Sequence, residues 1–479
     1  MLQAVRTFWQ ALTLEHLTPF QWAASSTIHQ SLGLLRNWRR DSVLLYRAEA
    51  LGAVLIAVLF AVAPFVSTTL IGVLLLAVAG FWGLLALSDK AGESLTPIHF
   101  PVLLYWAIAT IATAFSPVRA AATDGWIKLT LYLIAFALMA RVLRSPRLRS
   151  LIIAVYLHVA LLVSVVGLRQ WFFGADALAT WVDPESSLAG TTRVYSYLGN
   201  PNLLASYLIP AAILSGAAVF TWRGWLPKLL ALTMALVNSA CLILTFSRGG
   251  WIGFVVGGGV FLLLLVHWGS VRLPRFWRIW TLPSVFGGTV ALLTLAVLTV
   301  EPLYSRVASI FAGREDSSNN FRINVWMAVL DMIQARPVLG IGPGNDAFNQ
   351  VYPFYQEPGY TALSAYSVLL EIMVETGAVG LICFLWLLLV TFNQGWRHLQ
   401  RLRSRQDPQG FWLMGAIAIM VGMLAHGLVD TVWYRPQVST LWWFMLALVA
   451  SYVQTSAQPP GQQLEDPSSY RNHPDPPWG

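Results

Sequence analysis

Charged residues are scarce in this chain. Of its 479 residues, 11% are charged and 57% are hydrophobic, whereas an average soluble domain carries roughly 25% charged residues. This composition excludes an ordinary soluble domain and indicates bilayer hydrocarbon as the solvent. The formal net charge is +8, but the basic residues lie in short clusters between apolar runs. That distribution suits anionic lipid rather than a basic face for nucleic acid.

Cysteine and the common metal and nucleophile motifs are also scarce or missing. The two cysteines, Cys241 and Cys383, lie inside separate apolar runs, which excludes a disulfide framework and a thiolate metal site. The sequence contains no HExxH, CxxC or nucleophile-elbow motif, and its 22 tryptophans are typical of interfacial belts rather than a cofactor box. We therefore expect no metal and no cofactor.

Long apolar runs dominate what is present. A run of about twenty apolar residues spans the hydrocarbon as a helix, so we predict an all-α polytopic membrane protein of about twelve transmembrane helices within residues 48–453. The twelve candidate runs are 48–66, 67–88, 97–115, 124–143, 149–169, 196–220, 227–246, 251–268, 280–300, 367–391, 411–432 and 436–453.

The two ends of the chain differ from this domain. Residues 1–47 show no signal peptide, and their arginines, among them Arg47, lie beside Leu and Trp. This pattern favours either a cytoplasmic amphipathic arm on anionic lipid or an ordinary cytoplasmic arm. The other arginines of the arm are Arg36, Arg39 and Arg40. Residues 454–479 are rich in Pro, Gln and Ser and predict a disordered cytoplasmic tail.

The basic clusters between helices predict the orientation. Each lies on the side of the membrane that holds the N-terminus, as the positive-inside rule requires. We expect an inner (plasma) membrane protein with both termini in the cytoplasm. The clusters are Arg141/Arg144/Arg147/Arg149, Arg223/Lys228, Arg272/Arg275/Arg278 and Arg397/Arg401/Arg403/Arg405.

Two extracytoplasmic loops are then long enough to hold structure. The shorter, 171–195, contains Asp176, Asp183 and Glu185. The longer, 301–366, separates the ninth and tenth helices, and its segment Asn319–Gln334 has the apolar spacing of an amphipathic interfacial helix. We expect the functional site in this longer loop.

Arginines near these loops are candidate anion ligands. Arg248, in Ser247–Gly250, lies at membrane depth beside glycines and either clamps an anion or snorkels to the interface. In the long loop, Arg314, Arg322 and Arg336 precede the glycine-rich stretch Gly340–Gly344. That stretch forms either an anion-binding nest or a plain turn. It lacks the Lys-Ser/Thr ending of a nucleotide loop, which excludes ATP binding.

Four ionisable residues lie within predicted helices. Glu371 and Glu375 are spaced i,i+4, as are His426 and Asp430, so each pair shares one helical face. Ionisable groups at membrane depth are functional candidates. The alternative is a structural ion pair with an arginine, either Arg435 or Arg322.

Several motifs in combination resemble the O-antigen ligase and polymerase family. They are Ser247–Trp251, Phe321–Trp326, Pro337–Gly344 and Glu375–Gly377. The resemblance implies a twelve-helix enzyme that transfers glycans from undecaprenyl diphosphate, with Arg248 and Arg322 holding the diphosphate. The family carries a histidine base eleven residues before the glycine of Glu-x-Gly, and that position is Tyr366 here. A phenol with an ordinary pKa near 10 is a poor general base at neutral pH.

A longer match resembles the cyanobacterial inorganic carbon transport protein B family. It rests on Arg193–Asn202, Gly313–Asn320 and Ser364–Ser367. This resemblance implies bicarbonate transport in inorganic carbon accumulation. Its anion site would use Arg248, Arg322 and Arg314, and its gating groups would be Glu371, Glu375, His426 and Asp430.

The sequence therefore supports two hypotheses. The first is a non-enzymatic membrane protein of inorganic carbon accumulation, and the alternative is a glycan ligase or polymerase with altered acid/base chemistry. Both hypotheses imply that the protein contacts membrane lipid and binds an anionic substrate, either bicarbonate or a lipid-linked diphosphate. Neither involves nucleic acid, and neither identifies a protein partner.

Overall fold

The computed structural model describes residues 2–15, 47–88, 95–175, 192–299 and 313–453, with isolated residues at 17, 42 and between 304 and 310. Within these ranges the regular elements are helices, with no strand. The α-helices are α1 Leu2–Leu12, α2 Ala48–Val62, α3 Thr68–Ser88, α4 His99–Ala114, α5 Arg119–Val142, α6 Pro146–Phe173, α7 Pro201–Thr221, α8 Trp225–Leu244, α9 Arg248–Gly269, α10 Arg275–Thr299, α11 Ser317–Ala335, α12 Asn345–Val351, α13 Val368–Arg405, α14 Gly410–Gly427 and α15 Pro436–Ala450.

The predicted all-α polytopic class is confirmed. Nine of the described helices are long and apolar enough to cross a membrane, and α2, α4 and α15 are shorter apolar helices. Each of the twelve predicted runs overlaps one of these helices. Some ends were wrong, because polar capping residues and basic extensions lie outside a hydropathy pattern. α9 begins at Arg248, where the Ser247 hydroxyl accepts a hydrogen bond from the Gly250 amide at 3.2 Å, and α13 continues to Arg405.

The centre of the bundle is formed by α7, α14 and α15, whose residues are mostly buried. Small residues bring α9 close to α14. A Cβ added to Gly253 would lie 2.7 Å from the carbonyl oxygen of Gly422. Close backbone approach through small residues is how membrane helices associate without a hydrophobic driving force.

The two ends of the bundle have different chemistry. We call one the loop end; it holds the helix connections at 63–67, 115–118, 192–200, 245–247, 313–367 and 428–435. The opposite, basic end holds the arginine clusters, and Arg141 there pairs with Glu49 at 3.0 Å. Since the positive-inside rule predicts a cytoplasmic basic end, the loop end remains the predicted extracytoplasmic side.

The predicted helix at Asn319–Gln334 is present as α11. Its buried residues include Val325, Val329 and Met332. They pack with Ile341 and Phe348 in a small second core at the loop end. The apolar face of α11 therefore contacts the protein itself rather than lying wholly on lipid.

The tenth predicted span, α13, is interrupted, whereas the sequence indicated a continuous helix. Gly377 has φ +67° and ψ −172°, a conformation that essentially only glycine adopts. The chain segment 337–342 fills the break. The amides of Ile341 and Gly342 donate to the carbonyls of Val374 and Glu375, each at 2.9 Å. The Ala378 amide donates to Pro337 at 2.8 Å.

Several predictions fall on residues outside the described ranges. These are Arg36, Arg39, Arg40, Asp176, Asp183, Glu185, residues 301–303 and the tail at 454–479. The amphipathic arm is described only in part, through α1. Glu15 after α1 pairs with Arg397 of α13 at 3.3 Å, so the start of the chain docks on the basic end.

Candidate functional site

Arg248 is held inside the loop end. It is the first residue of α9, and its side chain is 8% exposed. Its Nη2 donates to Oδ1 of Asp316 at 2.8 Å, and the same carboxylate caps α11 by accepting from the Asn319 amide at 2.9 Å. The snorkelling alternative does not fit, because the guanidinium is paired and buried rather than extended into water.

Arg322 lies on α11 and faces the connection after α14. Its Nη2 is 3.7 Å from Oδ2 of Asp430, and its Nη1 donates to the Ser318 hydroxyl at 2.6 Å. Its guanidinium carbon is 6.0 Å from the ring centroid of Tyr366. Of the two predicted structural partners for Asp430, the structure places Arg322 there and not Arg435. The Arg435 guanidinium instead lies over its neighbour Tyr434, 5.1 Å from the ring centroid.

A third arginine, Arg193, belongs to the same region and was not among the predicted site residues. Its Nε donates to the Thr245 carbonyl at 3.0 Å and its Nη2 to Oδ1 of Asn202 at 3.2 Å. Burial lowers the pKa of Arg193 to about 10; Asp430 raises it, and the guanidiniums of Arg248 and Arg322 lower it further. The Arg193 guanidinium therefore stays cationic at neutral pH, close enough to Asp430, Arg248 and Arg322 to interact with their charges.

We call Arg193, Arg248 and Arg322 the arginine cluster, in which Asp316 pairs with Arg248, Asp430 pairs with Arg322, and the charges of Asp430, Arg248 and Arg322 act on Arg193. The only sequence signal for Arg193 was its place at the start of Arg193–Asn202, before a helix that Asn200 caps. Among the described residues, these three guanidiniums and two carboxylates leave a positive excess in a mostly buried site. Guanidinium groups in such a site bind phosphate or carboxylate through charge-assisted hydrogen bonds.

Arg314 and Arg336 lie away from the cluster. Arg314 Nη1 donates to Oδ1 of Asn320 and of Asn324, each at 3.2 Å. Those two asparagines are each two positions from Arg322, which is about 200° around a helix, so Arg314 covers the opposite face of α11. Arg336 donates to the Phe115 carbonyl at 3.2 Å on the exposed surface. The structure therefore does not bring Arg314 to the predicted anion site.

Glu371 and Glu375 do not form ion pairs in the described part of the chain. Oε2 of Glu371 accepts from the Ala365 amide at 2.7 Å, and Oε1 of Glu375 accepts from the Gly344 amide at 2.7 Å. Each carboxylate thus ties α13 to the polypeptide of the loop end. In the glycine-rich stretch Gly340–Gly344, three amides donate to α13, and the Gly340 amide donates to the Arg336 carbonyl. Pro343 has no amide hydrogen, so the stretch is a docking turn and not an open nest for a substrate anion.

Tyr366 occupies the position of the family's base. The ring packs edge to face on Phe321, with centroids 5.5 Å apart. The preceding residue is Ala365, whose amide donates to Glu371. Burial raises the pKa of the Tyr366 phenol above its ordinary value, and Asp430 raises it further, while Arg322 opposes them. Tyr366 is therefore an even poorer base here than a free phenol.

His426 lies one helical turn before Asp430, at the end of α14. It is 1% exposed, and neither ring nitrogen has a hydrogen-bond partner among the described residues. The ring fills the space above Gly249, where an added Cβ would lie 2.7 Å from Cδ2 of His426. The imidazole therefore packs against the first turn of α9, which carries Arg248.

The described residues contain no group of three or more His, Cys, Asp or Glu arranged to hold a metal ion.

Comparison with known sequences gives one family. A sequence model of the O-antigen ligase family matches residues 208–385, which is less than half of the chain and includes Arg248, Arg322 and Gly377 but not Arg193, His426 or Asp430. No curated protein matches the chain, and nothing in these comparisons supports the resemblance to the inorganic carbon family. The chain is a multi-pass membrane protein whose central region is similar to the O-antigen ligases.

Proposed function

We propose that this protein transfers a glycan from a polyprenyl diphosphate, such as undecaprenyl diphosphate, to an acceptor hydroxyl at the loop end of the bundle. The observation that carries the proposal is the arginine cluster. Arg248 and Arg322 lie in the region that matches the O-antigen ligases, and the fold brings Arg193 to them from outside that region. Bicarbonate transport has no comparable support.

The cluster suits a diphosphate leaving group. When the bond between the sugar and the diphosphate breaks, negative charge grows on the departing oxygen, and preorganised donors at that point stabilise the transition state. Arg193, Arg248 and Arg322 supply such donors from three separate parts of the fold. Asp316 and Asp430 hold two of them in place, so little reorganisation is needed when the donor binds.

A base is needed in place of Tyr366, and we assign that role to Asp430. In the proposed step the acceptor oxygen forms a bond to the anomeric carbon, and the bond from that carbon to the diphosphate oxygen breaks. The hydroxyl proton passes to the Asp430 carboxylate, and polyprenyl diphosphate leaves with the bonding pair. The step requires no metal ion and no further reactant. Asp430 is suited to it because its carboxylate lies 3.7 Å from Arg322, which the proposal places on the donor phosphate.

The test is a measurement of lipid-linked saccharides in the native host. Cells lacking the chromosomal copy would carry the wild-type chain, the Arg248→Ala/Arg322→Ala variant or the Arg314→Ala variant, which serves as a matched surface control. We expect undecaprenyl-diphosphate-linked saccharides to accumulate only with the double variant. An unchanged lipid-linked pool in all three strains, together with bicarbonate uptake that depends on Arg248 and Arg322, would favour transport and contradict the proposal.

A further inference from the structure

Three arginines come together at the basic end of the bundle, opposite the arginine cluster. We call them the basic-end group: Arg272 follows α9, Arg278 lies in the first turn of α10, and Arg403 lies in the last turn of α13. Nη2 of Arg403 donates to the Ser270 hydroxyl at 2.9 Å, and Nη2 of Arg272 donates to Oε1 of Gln406 at 2.9 Å. Arg278 is close enough for its charge to act on Arg403. Three separate elements therefore bring these guanidiniums to one place.

The described part of the chain supplies no carboxylate to this group. No ion pair there includes Arg272, Arg278 or Arg403. The helices around them offer none, since residues 267–300 and 376–406 contain no Asp or Glu. Like charges brought together repel each other. An anion that joins the group from outside would therefore stabilise it.

Other arginines of the basic end do have carboxylate partners. Arg141 pairs with Glu49 at 3.0 Å, and Arg397 pairs with Glu15 at 3.3 Å. Arg397 and Arg403 both belong to α13 but are six positions apart, which is about 240° around a helix. The positive excess is therefore a property of the side of α13 that contacts the end of α9, rather than of the basic end as a whole.

Aromatic side chains indicate the depth of the group in the bilayer. The ring centroid of Phe276 is 5.6 Å from that of Trp277 and 6.5 Å from that of Trp280, and all three side chains are more than half exposed. Exposed tryptophans of membrane proteins lie at the level of the lipid headgroups. Arg278 lies between the two tryptophans in the chain, so the basic-end group is at the depth of phospholipid phosphates.

α10 has little protein around it. None of its described residues is buried, whereas at least 28% of the apolar stretch is buried in each of the other described helices that are long enough to span a membrane. Its main packing partners are α9 and the turn that joins the two helices. A phosphate held between Arg278 and Arg403 would connect the start of α10 to the end of α13.

We propose that the basic-end group binds the headgroup phosphate of an anionic phospholipid from the adjacent leaflet. Arg278 and Arg403 donate to phosphate oxygens from two helices, and Arg272 adds a third positive charge. The acyl chains lie along the exposed apolar side of α10, so the lipid holds this helix against the bundle. Basic pockets between membrane helices suit such headgroups. The site lies at the opposite end from the arginine cluster and does not depend on the proposed glycan transfer.

The test is native mass spectrometry of the purified full chain with equal amounts of phosphatidylglycerol and phosphatidylethanolamine that have the same acyl chains. Both lipids carry a phosphate, but only phosphatidylglycerol has a net charge. We expect the wild type to retain phosphatidylglycerol in preference, and Arg278→Ala/Arg403→Ala to lose about 30-fold of that preference, because each arginine near anionic lipid contributes about fivefold.

Arg147→Ala/Arg405→Ala is the matched control. It removes the same two charges from exposed positions of the same end and should keep the preference of the wild type. Equal retention of the two lipids by the wild type would overturn the inference. An equal loss of preference in both double variants would also overturn it, because the attraction would then be a diffuse property of the basic end.

Melting temperatures guard against loss of binding through misfolding. Arg278→Ala/Arg403→Ala should still unfold cooperatively in phosphatidylethanolamine. Adding phosphatidylglycerol should raise the melting temperature of the wild type and of the control but not of this variant, since a ligand stabilises only a protein that binds it. Millimolar inorganic phosphate should not reproduce the rise. A rise with inorganic phosphate that depends on Arg403 would make the group a site for a free anion and overturn the inference.

Retention of undecaprenyl diphosphate separates this site from the proposed function. Arg278→Ala/Arg403→Ala should retain that lipid as the wild type does, and its loss would make the basic-end group part of the donor site and overturn the inference. Phosphatidylglycerol binding that depends on Arg403, with no undecaprenyl diphosphate binding by any form of the protein, would sink the proposed transfer and leave the phospholipid site standing.

Discussion

Replacing Gly377 with alanine should undock the loop end from α13. A Cβ at this position would lie 2.0 Å from the carbonyl oxygen of Val338, and the backbone has φ +67°. The strained backbone alone costs about 1–3 kcal/mol in a non-glycine residue. The clash also separates segment 337–342 from the break, with loss of three backbone hydrogen bonds, each contributing about 0.5–1.5 kcal/mol. The total is about 3–7 kcal/mol.

Hydrogen exchange read by mass spectrometry measures this effect locally. The amides of Ile341 and Gly342 should exchange about 100-fold faster or more in Gly377→Ala, since 3 kcal/mol corresponds to about two powers of ten. Gly259→Ala is the matched control, because an added Cβ at Gly259 has no atom within 4 Å. Unchanged protection of these amides in Gly377→Ala would refute the docking of this segment in the break of α13.

Three further outcomes follow from the site. Arg193→Ala should weaken binding of undecaprenyl diphosphate about 10- to 150-fold, from the 1.5–3 kcal/mol of a charge-assisted hydrogen bond, and wild-type affinity measured by calorimetry would remove Arg193 from the site. Tyr366→Phe should keep transfer activity in a proteoliposome assay within about tenfold, because a phenol of raised pKa is not the base; complete loss of activity would make the hydroxyl essential. Glu371→Ala should lower the melting temperature, because it leaves the buried Ala365 amide without an acceptor at a cost of about 1–3 kcal/mol; an unchanged melting temperature would contradict that role.

The helices of this protein could be predicted from the sequence because hydrocarbon imposes a single physical requirement. Each spanning segment must satisfy its own backbone hydrogen bonds, so an apolar run of sufficient length is helical. The break at Gly377 was missed for the same reason. Its backbone groups are satisfied by segment 337–342, and an apolar run with one glycine carries no sign of such a partner.

The site was only partly predictable. Arg248 and Arg322 stood out as arginines at membrane depth or near a motif, and Asp430 as an intramembrane acid. Arg193 did not, because its role depends on convergence in space of segments far apart in the chain. Arg314 illustrates the converse, since its place beside a motif suggested the site, whereas its hydrogen bonds to Asn320 and Asn324 hold it on the other face of α11.

Glu371 and Glu375 show why residue type alone could not decide between gating and structure. Intramembrane carboxylates without arginine partners are functional candidates. Here each accepts a backbone amide from the loop end, which a sequence pattern cannot reveal.

The most direct test of the diphosphate site is native mass spectrometry of the purified protein with undecaprenyl diphosphate, and with undecaprenol as the uncharged control lipid. We predict that the wild type and Arg314→Ala retain the diphosphate in preference to undecaprenol, and that Arg322→Ala loses this preference. Equal retention of the two lipids by the wild type, or an undiminished preference in Arg322→Ala, would contradict the assignment of the arginine cluster to a lipid-linked diphosphate.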